Sequence, residues 1–136
     1  MVTNPPHYMH HSGVETKDIV YPLPMWLGSS IKYAMRRDKK GNPIEDRRKA
    51  IETMCLGDIW DRLNFSLPEH YRNQVGGNAG KVERAELESR KPDQVVVEYM
   101  YALRQTLKGP YRKRFAVEGL RRAKELLEDE IERLAS

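Results

Sequence analysis

The turn at Gly41-Asn42-Pro43 lies between two runs with apolar residues at helical spacing, and this arrangement constrains the fold more than any other feature. The first run covers about residues 25–37, where apolar side chains recur three and four positions apart. The second covers about residues 44–63 and places acidic residues in its first turn, where they favour the helix dipole. Since a short turn joins them, the sequence predicts an αα-hairpin.

Prolines and glycines divide the remainder of the chain. A third helix is predicted from Pro92-Asp93 to Gly109-Pro110, and a last helix from about 111 to 134. We therefore predict an all-α fold, a small helical bundle built on the hairpin, with an extended N-terminal arm and a long C-terminal helix. The predicted division is residues 1–63 for the arm and hairpin, 64–91 for a polar loop, and 92–136 for a helical pair that packs on the same core and takes part in oligomerisation.

The composition of the chain indicates which kinds of partner and cellular compartment suit it. The chain has 136 residues, which fits one domain, and a net charge of +4, which suits an anionic partner. Its single cysteine, Cys55, excludes an intrachain disulfide and suits a reducing cytoplasm. The first 13 residues do not resemble a signal peptide, and no run is long enough to span a membrane. Acidic runs interrupt the basic ones, so we expect no nucleic-acid partner.

The first predicted helix carries a basic face. Lys32, Arg36 and Lys39-Lys40 recur at i, i+4 and i+7 or i+8, and like charges at this spacing repel by a few tenths of a kcal/mol each. An anion or a carboxylate from another element would offset that repulsion. Small residues at Gly28-Ser29-Ser30 allow close approach either of a ligand or of another helix, and the sequence does not separate the two.

The last predicted helix has its charges reversed. Basic residues Arg112, Lys113 and Arg114 occupy its start and acidic residues 128–132 its end, against the preference of the helix dipole. One explanation is a phosphate bound at the basic end. The other, slightly favoured, is antiparallel pairing between copies of the chain.

Two further patterns are weaker. His7, His10 and His11 suggest a metal site, but no carboxylate or cysteine lies near them in sequence, so we predict none. The segment 76–81, GGNAGK, lacks the first glycine, the Ser or Thr and the buried strand of a phosphate loop. A mobile loop or a subunit contact is the favoured interpretation of it.

Several short motifs occur in a fixed order along the first part of the chain. They are Pro6-His7-Tyr8, Gly13-Val14-Glu15, Leu27-Gly28-Ser29-Ser30-Ile31-Lys32-Tyr33, Arg36, Lys39-Lys40, Glu45-Asp46 and Lys49-Ala50. Over about residues 4–55, this order resembles a small domain that is widespread in tailed bacteriophages. One member of that family resembles the C-terminal part of a coliphage nucleotide kinase, which phosphorylates deoxynucleoside monophosphates without a Walker motif and assembles into a large homo-oligomer.

The resemblance implies a nucleotide-binding phage protein in the cytoplasm of an infected bacterium, with phosphoryl transfer to (deoxy)nucleoside monophosphates as its leading activity. The alternative is a non-catalytic oligomeric sponge that sequesters nucleotide-derived immune signals. No cofactor beyond the nucleotide is implied, and no metal. The expected catalytic residue is His7, and the expected nucleotide- and phosphate-binding residues are His7, Tyr8, Ser29, Lys32, Tyr33, Arg36, Lys39, Lys40 and Asp46.

The chain departs from the family pattern in two places. Ser29 stands where the family has asparagine, and Asp38 stands where it has glycine. An aspartate near a polyphosphate would repel it, which weighs against phosphoryl transfer more than against binding.

Overall fold

The structure, a computed structural model, describes residues 9–39 and 41–136 as helices joined by turns. The only extended pairing among these residues is an isolated bridge between Met9 and Glu15. The predicted all-α fold class is confirmed. In chain order the helices are α1 (Lys17–Val20), α2 (Met25–Arg36), α3 (Pro43–Met54), α4 (Ile59–Arg62), α5 (Glu69–Glu88), α6 (Gln94–Lys108) and α7 (Lys113–Ala135), with 3-10 turns at Leu56–Asp58 and Pro110–Arg112.

Helices α2 and α3 form the predicted hairpin. Pro43 opens α3 at a position where the missing N–H costs nothing. The predicted second helix is too long, however, because α3 ends at Met54. Cys55 adopts a left-handed conformation with φ of 51°, which closes the helix, and the chain resumes as the 3-10 turn and α4.

The predicted polar loop at 64–91 is wrong, because most of this segment is the 20-residue helix α5. Its buried side chains are Val75, Ala79, Val82 and Glu86, at spacings of four, three and four, which form one stripe against α6. The segment 76–81 therefore lies within a helix and is no loop. Burial of this stripe outweighs the roughly 1 kcal/mol that each glycine costs in a helix.

The core joins α2, α3, α5, α6 and α7. Ser30 is fully buried, and its hydroxyl donates to the Ala50 carbonyl at 2.7 Å and lies 2.7 Å from the Tyr99 hydroxyl. At Gly28 an added Cβ would meet the Val20 carbonyl oxygen at 3.2 Å. Gly28 and Ser30 thus serve contacts between helices, which settles the question of why small residues occur at these two positions.

Helices α6 and α7 form a second, longer hairpin. Asp93 caps α6 by accepting the Val96 N–H at 3.3 Å, and Gly109 ends it with φ of 125°. Gly119 lets the two helices approach closely, because a Cβ there would lie 3.1 Å from that of Ala102. None of the helices in the described ranges has the length and apolar character needed to cross a bilayer.

Candidate functional site

The turn end of the α2–α3 hairpin brings predicted site residues together. Arg36 is the last residue of α2 and Asp46 lies in the first turn of α3, and the turn between the helices places Arg36 Nη2 3.4 Å from Asp46 Oδ1. Tyr33, one helical turn before Arg36, is half-buried against the core. The Arg36 guanidinium lies 4.7 Å from the Tyr33 ring centroid, and Lys49 Nζ lies 5.5 Å from it. We call Tyr33, Arg36, Asp46 and Lys49 the hairpin cluster.

Polar groups in the hairpin cluster lack partners within the described residues. Arg36 Nε and Asp46 Oδ2 are both buried, and neither has a hydrogen-bond partner there. The one hydrogen bond of Arg36 to a described residue is the long contact with Asp46. A guanidinium has five N–H donors, so Arg36 retains capacity for an anionic ligand, and Asp46, 3 % exposed, holds it in place.

The predicted basic face does not continue past Arg36, because α2 ends there. Lys32 is exposed on α2, whereas Lys39 lies in the turn that follows and is also exposed. Ser29 is half-buried. Their predicted contacts with a nucleotide stay predictions. The expected site residues His7, Tyr8 and Lys40 lie outside the described residues.

Lys49 is a cluster member that the sequence reasoning did not name as a site residue. It follows Asp46 by three positions in α3, which places both side chains on one face of that helix. This spacing was visible in sequence.

Next to the hairpin cluster in sequence, two buried arginines, Arg37 and Arg47, form an ionic network that the sequence analysis did not predict. Glu130 of α7 accepts from Arg37 Nε at 2.8 Å and from Arg47 Nε at 2.7 Å. Arg37 Nη2 also donates to Asp93 at 2.8 Å, and Arg47 Nη2 donates to Asp38 at 2.8 Å. Both arginines are more than nine-tenths buried. The network therefore fixes both ends of the α2–α3 turn to the end of α7 and the start of α6.

The charge balance of this network has two consequences. Burial alone would lower the pKa of Arg37, but its bonds to Asp93 and Glu130 outweigh that effect and raise the pKa, so the guanidinium stays charged. Asp38, the departure from the family pattern, forms an ion pair with Arg47, which it shares with Glu130. The network holds three carboxylates against two arginines, so Asp38 keeps part of its expected repulsion of a phosphate.

The described part of the N-terminal arm is attached to α5 by a second cluster. His10 Nε2 lies 2.5 Å and His11 Nε2 lies 3.0 Å from Glu86 Oε2. The Asp93 backbone N–H donates to Glu86 Oε1 at 2.8 Å. The prediction against a metal site considered only carboxylates near these histidines in sequence, whereas Glu86 comes from a helix more than 70 residues away in the chain.

These three side chains have the ligand types of a zinc site, and their ligand atoms lie within 4.8 Å of one another. The hydrogen bonds favour a different use. The Ser12 backbone N–H donates to His10 Nδ1 at 3.0 Å, which assigns the ring proton to Nε2, facing Glu86. A metal bound at Nε2 would have to displace this proton and the Ser12 bond. The cluster as it stands is a hydrogen-bonded latch for the arm.

The latch groups have shifted pKa values. Burial lowers the pKa of His10, with help from the charges of His11 and Lys39, although the bond to Glu86 opposes the shift. Burial would raise the pKa of Glu86, but the N–H of Asp93 and the two histidines outweigh it and lower the pKa. At neutral pH a neutral His10 therefore donates to an ionised Glu86.

The latch and the hairpin cluster are linked through Asp93. Its backbone N–H contacts Glu86, and its carboxylate contacts Arg37, the residue after Arg36. His10 and His11, in the described part of the arm, are thus held beside the end of α2, next to the hairpin cluster.

Comparison with known proteins covers part of the chain. Residues 2–53 match the model of a family described as a protein of unknown function, DUF3310. The matched range contains the arm, α2 and nearly all of α3, and it agrees with the extent of the resemblance seen in the sequence. No curated protein and no solved structure matches the chain. Helices α5, α6 and α7 lie beyond the family match.

Proposed function

We propose that this protein binds a nucleotide at the hairpin cluster, with Arg36 and Lys49 contacting its phosphates. The observation that carries the proposal is the state of Arg36. Its side chain is 19 % exposed, it is held by Asp46 and Tyr33, and its single bond to a described residue is 3.4 Å long. Charge-assisted hydrogen bonds to phosphate would satisfy the remaining donors, and Arg presents two of them side by side.

Tyr33 positions the two cations in this proposal. The two cations lie near its ring, at distances where the ring quadrupole attracts them. The ring therefore orients Arg36 and Lys49 and reduces the repulsion between them. Holding two cations in position before the ligand arrives lowers the entropy cost of binding.

The activity that we propose is phosphoryl transfer to a (deoxy)nucleoside monophosphate. A phosphate oxygen of the monophosphate would attack the γ-phosphorus of a nucleoside triphosphate, and the bond from that phosphorus to the β–γ bridging oxygen would break. Such a reaction depends mainly on positioning and on cationic charge around the transferred group. Arg36, Lys49 and the exposed Lys32 supply that charge, and the ion pair with Arg47 reduces the repulsion from Asp38 in part.

The first experiment measures binding. Calorimetric titration with nucleoside mono- and triphosphates is expected to give saturable binding, and Arg36→Ala or Lys49→Ala should weaken it by about 1.5–3 kcal/mol each. Arg48→Ala is the matched control, because Arg48 is exposed, lies next to Lys49 on α3 and is outside the hairpin cluster. Equal affinity for the wild type and both cluster variants would exclude this site.

The second experiment measures transfer. The protein is incubated with a labelled nucleoside triphosphate and each monophosphate, and labelled diphosphate is the expected product. Binding without product, with the intact ligand recovered after denaturation, would reject the kinase and support the sequestering alternative. Cyclic and ADP-ribose-type nucleotides belong in the binding panel for this reason.

We also propose where the protein acts and that it forms an oligomer. The phage resemblance supports action as a homo-oligomer in the cytoplasm of an infected bacterium. Exposed Tyr21, Met25 and Trp60 side chains offer apolar surface for subunit contact. Light scattering after size exclusion is expected to give a mass that is a multiple of 15.9 kDa. A monomer at high concentration would reject this part.

A further inference from the structure

A cavity of about 400 Å³ lies between the segment joining α4 to α5 and the turn joining α6 to α7. This volume falls within the range of small-molecule sites. Its apolar wall includes Leu63, Phe65, Leu67 and Leu107. The cavity lies outside the family match, and it shares no residue with the hairpin cluster.

The cavity contains a buried cation with no acidic partner. Lys113 is 8 % exposed and its Nζ donates to the Asn64 side-chain oxygen, a neutral acceptor. The same Nζ lies 4.7 Å from the Trp60 ring centroid. Among the described residues, no carboxylate lies within 4.0 Å of it. A buried charge is costly unless an opposite charge meets it, so this lysine points to an anion.

The charged side chains that line the cavity indicate the charge of its ligand. Arg72 of α5 also lines the cavity, and no aspartate or glutamate is among its lining residues. Lys113 and Arg72 together contribute two positive charges. A phosphate monoester carries nearly two negative charges above its second pKa of about 6.

We propose that this cavity binds an organic phosphate monoester, with the phosphate between Lys113 and Arg72 and an apolar body against the leucines and Phe65. Thr106 and Ser66 also line the cavity. The Thr106 hydroxyl donates to the Ala102 carbonyl at 3.0 Å and can accept from a ligand, whereas the Ser66 hydroxyl can accept or donate. The two cations match the charge of the phosphate, and the apolar wall of the cavity matches the apolar body of the ligand.

Two of the charges that are reversed on α7 are used inside the chain. At the acidic end, Glu130 binds Arg37 and Arg47. At the basic end, Lys113 faces the cavity.

The test uses phenyl phosphate as the probe, in calorimetric titration of the full chain at about pH 8, where the monoester is dianionic. Saturable binding is expected. Lys113→Met and Arg72→Gln should each weaken it by about tenfold or more, the range for loss of a charge-assisted bond. Arg121→Met removes an exposed charge from the same helix and should leave affinity unchanged.

Two further observations distinguish a lost ligand contact from a folding defect. Lys113→Met should not lower the melting temperature, because it removes a buried charge that lacks an acidic partner. Arg72 is exposed, so Arg72→Gln tests the site without dependence on folding. No heat with phenyl phosphate, equal affinity in both cavity variants, or equal affinity for the neutral analogue benzyl alcohol would each overturn the proposal.

The phenyl phosphate experiment tests the cavity independently of nucleotide binding at the hairpin cluster. Arg36→Ala should leave phenyl phosphate binding at the cavity unchanged. If Arg36→Ala abolishes that binding while Lys113→Met does not, the probe binds at the hairpin cluster and the cavity proposal is wrong.

Discussion

Replacing Glu130 by alanine should destabilise the fold by about 3 kcal/mol. The change removes two short hydrogen bonds, at 2.8 Å from Arg37 and 2.7 Å from Arg47, and a longer one at 3.3 Å. Bonds to charged groups contribute about 1.5–3 kcal/mol each, so the two short ones sum to about 3–6 kcal/mol. The lower end applies because Glu130 is 19 % exposed and both arginines keep other partners.

The assay is urea unfolding followed by circular dichroism. Glu128→Ala is the control, because Glu128 lies on the same helix and makes only an exposed contact of 3.9 Å with Lys124. Its loss should cost about 0.3–0.5 kcal/mol. The unfolding slope m should stay the same in both variants.

A loss below about 1 kcal/mol for Glu130→Ala, or one no larger than that of Glu128→Ala, would refute the interpretation of Glu130 as an intramolecular anchor. Repeating the measurement at tenfold different protein concentrations separates the alternative of antiparallel helix pairing. Under that alternative the loss would depend on concentration.

Three further predictions concern pH and backbone geometry. Because the folded-state pKa of His10 lies below its ordinary value of 6.5, the unfolded chain takes up the proton first as pH falls. Stability should be fully present above about pH 6.5 and decline below it, and His10→Gln should flatten that decline in urea titrations. Cys55→Gly should stabilise the fold by about 0.5–1 kcal/mol, since glycine adopts the left-handed φ of 51° without strain; an unchanged midpoint would contradict this. Gly119→Ala should destabilise by about 1–3 kcal/mol through overpacking, whereas Gly77→Ala, where a Cβ meets nothing within 4 Å, should stabilise by up to about 1 kcal/mol; matching signs in thermal melts would refute both explanations.

Apolar periodicity predicted the helices with strong stripes. Helices α2, α6 and α7 begin and end close to the predicted residues, because caps and turn residues mark their limits. Helix α5 was missed because its glycines and polar residues dominate the local sequence. Its stripe of Val75, Ala79, Val82 and Glu86 is a signal that sequence reading can use.

The predicted hairpin puts the end of the first helix beside the start of the second, and Arg36 and Asp46 meet there. The sequence did not indicate the partners of Arg37 and Arg47. Arg37 fits the helix dipole as an isolated residue, and nothing in the local sequence connects it to Glu130, which is 93 positions away. The same holds for His10 and Glu86, since only the packing of α5 brings them together.

The most direct test of nucleotide binding at the hairpin is a titration of ¹⁵N-labelled protein with a deoxynucleoside monophosphate, monitored by NMR. The largest amide shifts are expected at Tyr33, Arg36 and Lys49, and Arg36→Ala should abolish those shifts. Shifts confined to the cavity segment 63–67, or no shifts at millimolar ligand, would show that the nucleotide does not bind at the hairpin.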